Sequence, residues 1–258
     1  MKKPTEMIYE QILDALRRRE AVAVATVVES RGSGPREPGA KILVFPDGET
    51  IGTIGGGASE AWVIRRALEA LTDGRSRLLR RPARQEDRDA CGEGMSFFVD
   101  VLLPRPTLLV VGAGHIGQAV ASLGAWLDYR VFVLDERESM VSPERFPDAH
   151  LLLSGPVSER LRSLPLTDRV YVLIVTPHHS PDEQVLAVLW RHEAAYVGLL
   201  GGRRRTQATF ERARALGVPD DFLRQIHTPI GLDIHAETPR EIALSILADV
   251  TVVRRGGI

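Results

Sequence analysis

The sequence has very little cysteine, and its charges of opposite sign nearly cancel. Cys91 is the only cysteine among 258 residues, so no intramolecular disulfide framework can form and a reducing compartment is favoured. The net charge of −1 argues against a general nucleic-acid or membrane partner. The basic first residues lack the apolar run of a secretion signal. We therefore expect a cytoplasmic protein.

One segment, residues 106–127, contains no Lys, Arg, Asp or Glu. It is long enough to span a bilayer. The residues Gly112, Gly114, His115, Gly117 and Gln118 interrupt it, however, and divide it into a short strand and a helix. The sequence therefore predicts a soluble α/β element at this position and no membrane span.

The first hundred residues predict an α/β domain with a mixed sheet. An amphipathic helix opens the chain, and the β-branched segment 21–30 is typical of a buried strand. Residues 40–53 predict a hairpin around the Pro-Asp-Gly turn at 46–48. A helix over 58–71, an exposed strand and loop within 75–89, and a strand over 95–103 complete the domain.

The proline pair at 104 and 106 marks a domain boundary, because proline stiffens the backbone. We predict one domain over 1–104 and a second over 105–258. In the second domain, strands alternate with helical segments, which is typical of a parallel, Rossmann-like sheet covered on both faces. The predicted strands are 108–111, 130–134, 150–153, 170–175 and 196–200.

The sequence Gly112-Ala113-Gly114-His115-Ile116-Gly117 follows a strand and opens a helix. In a dinucleotide-binding fingerprint, Gly112 makes the tight turn, Gly114 lets a phosphate approach, and Gly117 allows close helix–strand packing. Asp135 ends the next strand, where a carboxylate can bind ribose hydroxyls. The motif predicts a site for a phosphate-bearing nucleotide or similar ligand. It does not predict hydride transfer, and glycines kept only for packing are the alternative.

Two further glycine clusters lie in the first domain, at 30–41 and 52–57. The second cluster ends in Gly55, Gly56 and Gly57, directly before a helix, where backbone N–H groups can bind an anion. Arg36 and Lys41 can add positive charge. Strained turns without a ligand are the alternative, but two clusters in one small domain favour a ligand.

A fourth glycine pair, Gly201-Gly202, precedes Arg203, Arg204 and Arg205 at the start of a helix. Arginine binds phosphate through two parallel hydrogen bonds. Cations at a helix N-terminus oppose the helix dipole, so the triplet indicates an anion nearby. Solvated surface charge is the alternative.

Cys91 lies in a glycine-containing, loop-like segment, which leaves a thiolate ligand and a small buried side chain both open. His178 and His179 follow a predicted parallel strand, where doubly wound sheets bind their ligands. They are candidates for a proton donor or a metal ligand, with surface histidines as the alternative.

Together these features resemble the xanthine dehydrogenase accessory protein family, the XdhC/CoxI family. The resemblance covers nearly the whole chain in the family's order. It is carried by the segments GSGPREPGAKILV, GTIGGGASE, the Cys91-Gly92 pair, VVGAGHIGQAV, YVGLLGGRRR and IHTPIGLDIHAETPREIALSILADV. The family pattern usually reads Cys-Gly-Gly and Thr-His-Asp-His. This chain has Glu93 and Gly94 after Cys91-Gly92, and Pro177 and His178 after Thr176.

The resemblance implies a homodimeric accessory protein that binds the molybdenum cofactor and delivers its sulfurated form to an apo-enzyme of the xanthine dehydrogenase, aldehyde oxidase or CO dehydrogenase class. A cysteine desulfurase is an implied further partner, and a non-catalytic role is favoured. Cys91 is the implied sulfur carrier or molybdenum ligand. The predicted cofactor-binding residues are Ser33, Arg36, Gly55, Gly56, Gly57, Gly112, Gly114, His115, Gly117, Asp135, Gly201, Gly202 and Arg203.

Two other functions remain open on the residues alone. The fingerprint equally permits an NAD(P)-dependent oxidoreductase, which would bind NAD(P) and turn over a substrate. An assembly scaffold that has lost nucleotide binding is the third. The ligand that co-purifies with the protein distinguishes the three.

Overall fold

The structure is a computed structural model that describes residues 4–30, 37–81, 95–177 and 182–256. The chain divides into two compact units, Met1–Pro104 and Arg105–Ile258. An antiparallel sheet forms the centre of the first unit and a parallel sheet that of the second. The predicted α/β class with a Rossmann-like C-terminal part is confirmed.

The first unit contains two helices and five strands among its described residues. In chain order they are α1 (Pro4–Arg17), β1 (Val22–Glu29), β2 (Lys41–Val44), β3 (Thr50–Gly52), α2 (Gly57–Asp73), β4 (Arg77–Arg80) and β5 (Ser96–Leu102). The predicted hairpin over 40–53 is confirmed, since Phe45 N–H donates to Glu49 O at 2.9 Å and closes the turn between β2 and β3.

The prediction of a mixed sheet in this unit was wrong. The strand order is β3-β2-β1-β5-β4, and all four pairings are antiparallel. A helix that joins two strands often makes a parallel crossover, because parallel neighbours need such a connection. Here α2 instead carries the chain from β3 at one edge to β4 at the other, so the strands that it connects are not neighbours.

Both faces of this sheet are covered where the strands are apolar. Alternate side chains of a strand point to opposite faces, so β1 contributes to two cores. The core beneath α2 contains Ala23, Ala25, Val27, Ile42, Val44, Ile54, Val63, Ala67, Ala70, Met95, Phe97 and Val99. The core beneath α1 contains Ile8, Ile12, Ala15, Val22, Val24 and Leu43.

The second unit contains five strands and six α-helices among its described residues. In chain order they are β6 (Thr107–Val111), α3 (His115–Trp126), β7 (Arg130–Asp135), β8 (Leu151–Ser154), α4 (Val157–Arg162), β9 (Val170–Ile174), α5 (Asp182–Leu189), β10 (Tyr196–Leu199), α6 (Arg203–Ala215), α7 (Asp220–Leu223) and α8 (Pro239–Arg255). The alternation of strand and helix predicted for this part is confirmed, except that only a short 3-10 helix, Glu138–Met140, lies between β7 and β8.

The parallel sheet has the order β10-β9-β6-β7-β8. The chain moves outward from β6 through β7 to β8, and then returns to the other side of β6 to form β9 and β10. The order therefore reverses between β6 and β9. In open α/β sheets, ligands bind outside the carboxyl ends of the strands at such a switch point.

Helices cover both faces of the parallel sheet. On one face, α3 and α8 pack against each other and bury apolar residues that include Leu108, Val110, Val120 and Ile246. On the other face lie α4, α5 and α6. Thr238 followed three residues later by Glu241 predicts a capping box at the start of α8. The structure confirms it, because Thr238 Oγ1 accepts from Glu241 N–H, and the Glu241 carboxylate accepts from Thr238 N–H.

Candidate functional site

The glycine turn between β6 and α3 lies at the switch point. Gly112 has φ +113°, and a Cβ built there would lie 2.8 Å from the backbone of Val175 and Thr176 at the end of β9. A Cβ on Gly117 would lie 1.9 Å from Gly112 O. Gly114, by contrast, has no neighbour within 4 Å of such a Cβ. Two glycines therefore allow the close packing, and the third leaves open space at the start of α3.

Asp135, the last residue of β7, holds this turn in place. Its side chain is buried, and Oδ2 accepts from Ala113 N–H at 2.7 Å. Arg137 donates to both oxygens, from Nε to Oδ1 at 2.9 Å and from Nη2 to Oδ2 at 2.8 Å. The Arg137 backbone N–H also donates to Oδ1, at 3.0 Å. The carboxylate thus connects the turn, the end of β7 and a cation two residues further on.

These contacts decide the charge of Asp135. Burial alone would raise the pKa of its carboxyl group. The hydrogen bonds from Arg137 and from the backbone of Ala113 outweigh burial and lower the pKa below its ordinary value of 3.8. The pKa of Arg137 is raised, chiefly by its hydrogen bond to Asp135. Both groups are therefore ionised at neutral pH.

Arg145 supports the other side of the turn. Its Nη2 donates to Ala113 O at 3.0 Å, and Gln118 of α3 donates from Nε2 to Arg145 O at 2.9 Å. His115 is exposed at the start of α3 and lines a groove of about 1120 Å³ together with Gln118 and Arg240. The structure therefore brings the predicted residues Gly112, Gly114, Gly117, His115 and Asp135 together at one end of the sheet.

The Gly201-Gly202 turn follows β10, which is separated from β6 by β9 in the sheet. Arg203 is exposed and lines a separate cavity of about 380 Å³ with the two glycines, Thr206 and Thr228. Arg205 has a structural role, because its Nη2 donates to the almost fully buried carboxylate of Asp182 at 2.6 Å. It also donates to Thr176 O at the end of β9. One arginine of the triplet thus fixes a loop, whereas Arg203 and Arg204 face solvent.

In the first unit, the N–H groups before α2 already have an acceptor. The Glu60 carboxylate accepts from Ile54 N–H at 3.0 Å, from Gly56 N–H at 3.1 Å and from Thr53 Oγ1 at 2.5 Å. An external anion would have to displace this carboxylate from the Gly56 N–H or bind elsewhere on the turn. Lys41 Nζ donates to Thr26 Oγ1 at 3.0 Å.

Arg81 and Met95, which flank the segment that contains Cys91, lie at the same end of the antiparallel sheet as the turn before α2. Arg81 N–H donates to Met95 O at 3.1 Å, so the chain leaves and returns at one place. The Arg81 guanidinium also contacts Ser59 in the first turn of α2. Cys91, Ser33, Arg36, His178 and His179 themselves lie outside the described residues.

Sequence reasoning missed the side chains that act on the turn from a distance. Arg145 lies 32 residues from its acceptor Ala113, and no local pattern indicates the contact. Arg137 had a visible signal, since a cation two residues after the acidic residue lies within reach of it. Glu60 had one as well, as an acidic residue in the first turn of a helix.

The C-terminal segment contributes a second polar cluster to the second unit. The His227 ring stacks on Tyr196 with 4.2 Å between centroids, and Tyr196 Oη donates to Asp249 Oδ2 at 2.6 Å. Burial, and then the neighbouring Asp249 carboxylate, raise the pKa of Tyr196 well above its ordinary value. The cluster fixes residues 226–228 alongside β10, where Gly198 pairs with His227 in parallel.

Two kinds of site were not found in the part of the chain that the structure describes. No group of three His, Cys, Asp or Glu side chains there could hold a metal ion. No helix within the described ranges combines the length and apolar character that a membrane span requires.

Comparison with known proteins identifies the family. The XdhC Rossmann domain model matches residues 108–250, and the model of the XdhC and CoxI family matches residues 15–81. This chain belongs to the XdhC and CoxI family. Its second unit therefore contains an XdhC Rossmann domain, and the recognition from sequence motifs is confirmed.

Three curated proteins are similar in sequence. The uncharacterized protein YqeB of Escherichia coli (strain K12) is 37% identical over 237 residues, which cover 90% of this chain and 43% of YqeB. A probable xanthine dehydrogenase subunit of Bacillus subtilis (strain 168) is 28% identical over 160 residues, 62% of this chain and 46% of that protein. The molybdenum cofactor insertion chaperone PaoD of E. coli (strain K12) is 24% identical over an alignment of 295 positions, which covers 94% of this chain and 86% of PaoD. This chain spans less than half the length of the first two relatives.

A crystal structure described as a xanthine dehydrogenase from Bacillus halodurans has the same fold. The TM-score is 0.55 at 20% identity, and the match covers 99% of this chain and 96% of that one. At this identity the likeness shows the fold alone.

Proposed function

We propose that this protein binds the molybdenum cofactor and delivers it to the apo form of a molybdoenzyme of the xanthine dehydrogenase class. The observation that carries the proposal is the similarity to PaoD, which extends over 94% of this chain and 86% of that relative, named a molybdenum cofactor insertion chaperone. Matches to both family models, in the same order along the chain, support it.

The geometry of the second unit is compatible with such cargo. Molybdopterin is an anionic pterin that bears a phosphate, and backbone N–H groups at a helix start favour phosphate. Gly114 leaves this position open at the start of α3. The exposed Arg203, beside Gly201 and Gly202, is a second candidate phosphate contact. These residues hold the ligand in our proposal.

The role of Cys91 rests on the resemblance. A thiolate is a soft ligand that suits a metal–sulfur centre. We propose that Cys91 ligates the molybdenum or carries its sulfur. Ser33 and Arg36, in the other glycine-rich segment, are proposed cofactor contacts. We further propose that the protein acts as a homodimer with a cysteine desulfurase as sulfur donor. Light scattering that gives a monomer at micromolar concentration would refute the dimer.

Cofactor binding is tested by what co-purifies with the protein. The protein is produced in cells that make molybdopterin and in cells that cannot, and bound pterin is oxidised to its fluorescent derivative and quantified. We expect pterin comparable in amount with the protein from the first cells only. Equal fluorescence from both preparations would contradict the proposal.

Variants assign the binding. Cys91→Ser keeps the size of the side chain and removes the soft ligand, so we expect most of the bound cofactor to be lost with unchanged thermal unfolding. Arg224→Ala is the matched control, because it removes only an exposed ion pair with Asp221. Full retention by the serine variant would show that Cys91 is not a ligand.

The fingerprint geometry favours one further candidate, an NAD(P)-dependent oxidoreductase. The turn at Gly112–Gly117 has the close contacts that a dinucleotide site requires, and Asp135 lies at the end of the second strand. Titration with nicotinamide nucleotides distinguishes this candidate from the cofactor chaperone. The hydrogen bonds that Asp135 already accepts affect the nucleotide affinity that this titration measures.

A further inference from the structure

The hydrogen-bonding capacity of Asp135 is fully used. An ionised carboxylate offers about four lone-pair positions. Oδ1 accepts from the backbone N–H and from Nε of Arg137, at 3.0 and 2.9 Å. Oδ2 accepts from Ala113 N–H and from Arg137 Nη2, at 2.7 and 2.8 Å. The protein itself thus supplies all the donors that this carboxylate can accept.

A free ribose would compete with two of these four donors. In dinucleotide sites of this kind, the acidic residue at the end of the second strand binds the ribose hydroxyls. Here the two backbone donors are fixed by the turn and by the end of β7. The guanidinium of Arg137 supplies the other two, one on each carboxylate oxygen. The 2′ and 3′ hydroxyls of a ribose could bind Asp135 only after displacing this side chain.

Arg137 also changes what the position offers to a ligand. Its side chain is 47% exposed, so part of the guanidinium faces solvent. A guanidinium has five N–H groups, of which two donate to Asp135. Among the described residues the other three have no acceptor. A ligand reaching this point therefore meets N–H donors and a positive charge instead of a carboxylate acceptor.

We propose that Arg137 is a specificity-determining residue of the Gly112–Gly117 turn. It withholds Asp135 from ribose hydroxyls and so selects against nucleotides such as NAD⁺ that carry a free ribose diol at this position. A ligand with a phosphate or another anionic group there is favoured instead. The inference rests on the proposed function only in taking the turn as a ligand-binding turn.

The test compares NAD⁺ and NADP⁺, which differ by one phosphate on this ribose. Binding to the full-length protein and to Arg137→Met is measured by isothermal titration calorimetry. Methionine keeps an unbranched apolar stem and removes the guanidinium, which frees one acceptor position on each oxygen of Asp135. We expect Arg137→Met to bind NAD⁺ at least about tenfold tighter than the parent, since two charge-assisted hydrogen bonds become available.

NADP⁺ should not gain affinity in this variant, because its 2′-phosphate would face the exposed carboxylate. Arg137→Lys keeps the positive charge but lacks the two separate donor nitrogens of the guanidinium. We therefore expect its NAD⁺ affinity to lie between that of the parent and that of Arg137→Met. This variant also serves if Arg137→Met fails to fold, as judged by thermal unfolding. Arg224→Ala is the control, because Arg224 lies far from the Gly112–Gly117 turn. Arg224 directly follows α7 and precedes residues 226–228, which run parallel to β10, so it lies at the amino ends of the strands, whereas the turn lies at their carboxyl ends.

Unchanged NAD⁺ affinity in the folded Arg137 variants would overturn the inference, including the case in which no protein binds NAD⁺. An equal gain for NAD⁺ and NADP⁺ would also overturn it, because the change would then be a general loosening of the turn. Neither result bears on pterin co-purification, which tests the proposed function independently.

Discussion

Replacing Asp135 by alanine removes the side chain that holds the glycine turn against the end of β7. The main cost comes from Ala113 N–H, which is buried and loses its acceptor at 2.7 Å. A buried donor left without an acceptor costs about 1–3 kcal/mol. The ion pair adds at most about 1 kcal/mol, since water screens the half-exposed Arg137. We expect the free energy of unfolding of the second unit to fall by about 2–4 kcal/mol.

Urea unfolding measures this loss, and hydrogen exchange of residues 107–135 localises it to the turn. The matched control is Asp221→Ala, because Asp221 also pairs with an arginine but is 84% exposed. Exposed pairs contribute little, so we expect a loss below about 0.5 kcal/mol for the control. Equal losses in the two variants would refute the view that Asp135 fixes the turn through its buried hydrogen bond.

The stability difference between the parent and Asp135→Ala should also depend on pH. The pKa of Asp135 is lower in the folded protein than its ordinary value of 3.8, so the ionised form stabilises the fold. This stabilisation is fully present above the ordinary pKa and is lost as the pH falls through the lower folded value. The stability difference between parent and Asp135→Ala should therefore be constant from about pH 5 to 8 and shrink below about pH 4. A difference that grows on acidification would contradict the direction of the shift.

Three further substitutions test packing and hydrogen bonding in the second unit. Gly117→Ala places a Cβ 1.9 Å from Gly112 O, so we expect the free energy of unfolding measured in urea to fall by about 3 kcal/mol. Gly114→Ala has no neighbour within 4 Å of the added Cβ and should cost at most about 1 kcal/mol. Similar losses in the two variants would contradict the roles assigned to these glycines. Tyr196→Phe removes the 2.6 Å hydrogen bond to Asp249 and should cost about 1–3 kcal/mol, and a stability equal to that of the parent would show that the bond contributes nothing.

Local patterns predicted most of the fold. The glycine turn at Gly112–Gly117 and the capping box at Thr238 and Glu241 depend on residues close in sequence, and both have the expected form. The arrangement of strands in the first sheet does not depend on local pattern. Because α2 connects opposite edges, a helix between strands did not produce parallel neighbours, and the mixed sheet was wrong.

The candidate site was predictable only in part, for the same reason. Spacing along the chain predicted that Asp135 lies near the turn. The clamp by Arg145 and the burial of Arg205 on Asp182 bring together residues 32 and 23 positions apart, which no periodicity encodes. The contact of Glu60 with Gly56 shows a different limit, because a turn rich in N–H groups can be satisfied by the chain's own carboxylate.

The most direct test of the proposed function is transfer of cofactor to an acceptor enzyme. The protein loaded with cofactor is mixed with an apo molybdoenzyme of the xanthine dehydrogenase class, purified from cells that cannot make molybdopterin, and recovered enzyme activity is followed over time. Cofactor delivery predicts faster recovery than with free cofactor at equal concentration, and loss of this advantage in Cys91→Ser. Recovery no faster than with free cofactor would contradict it.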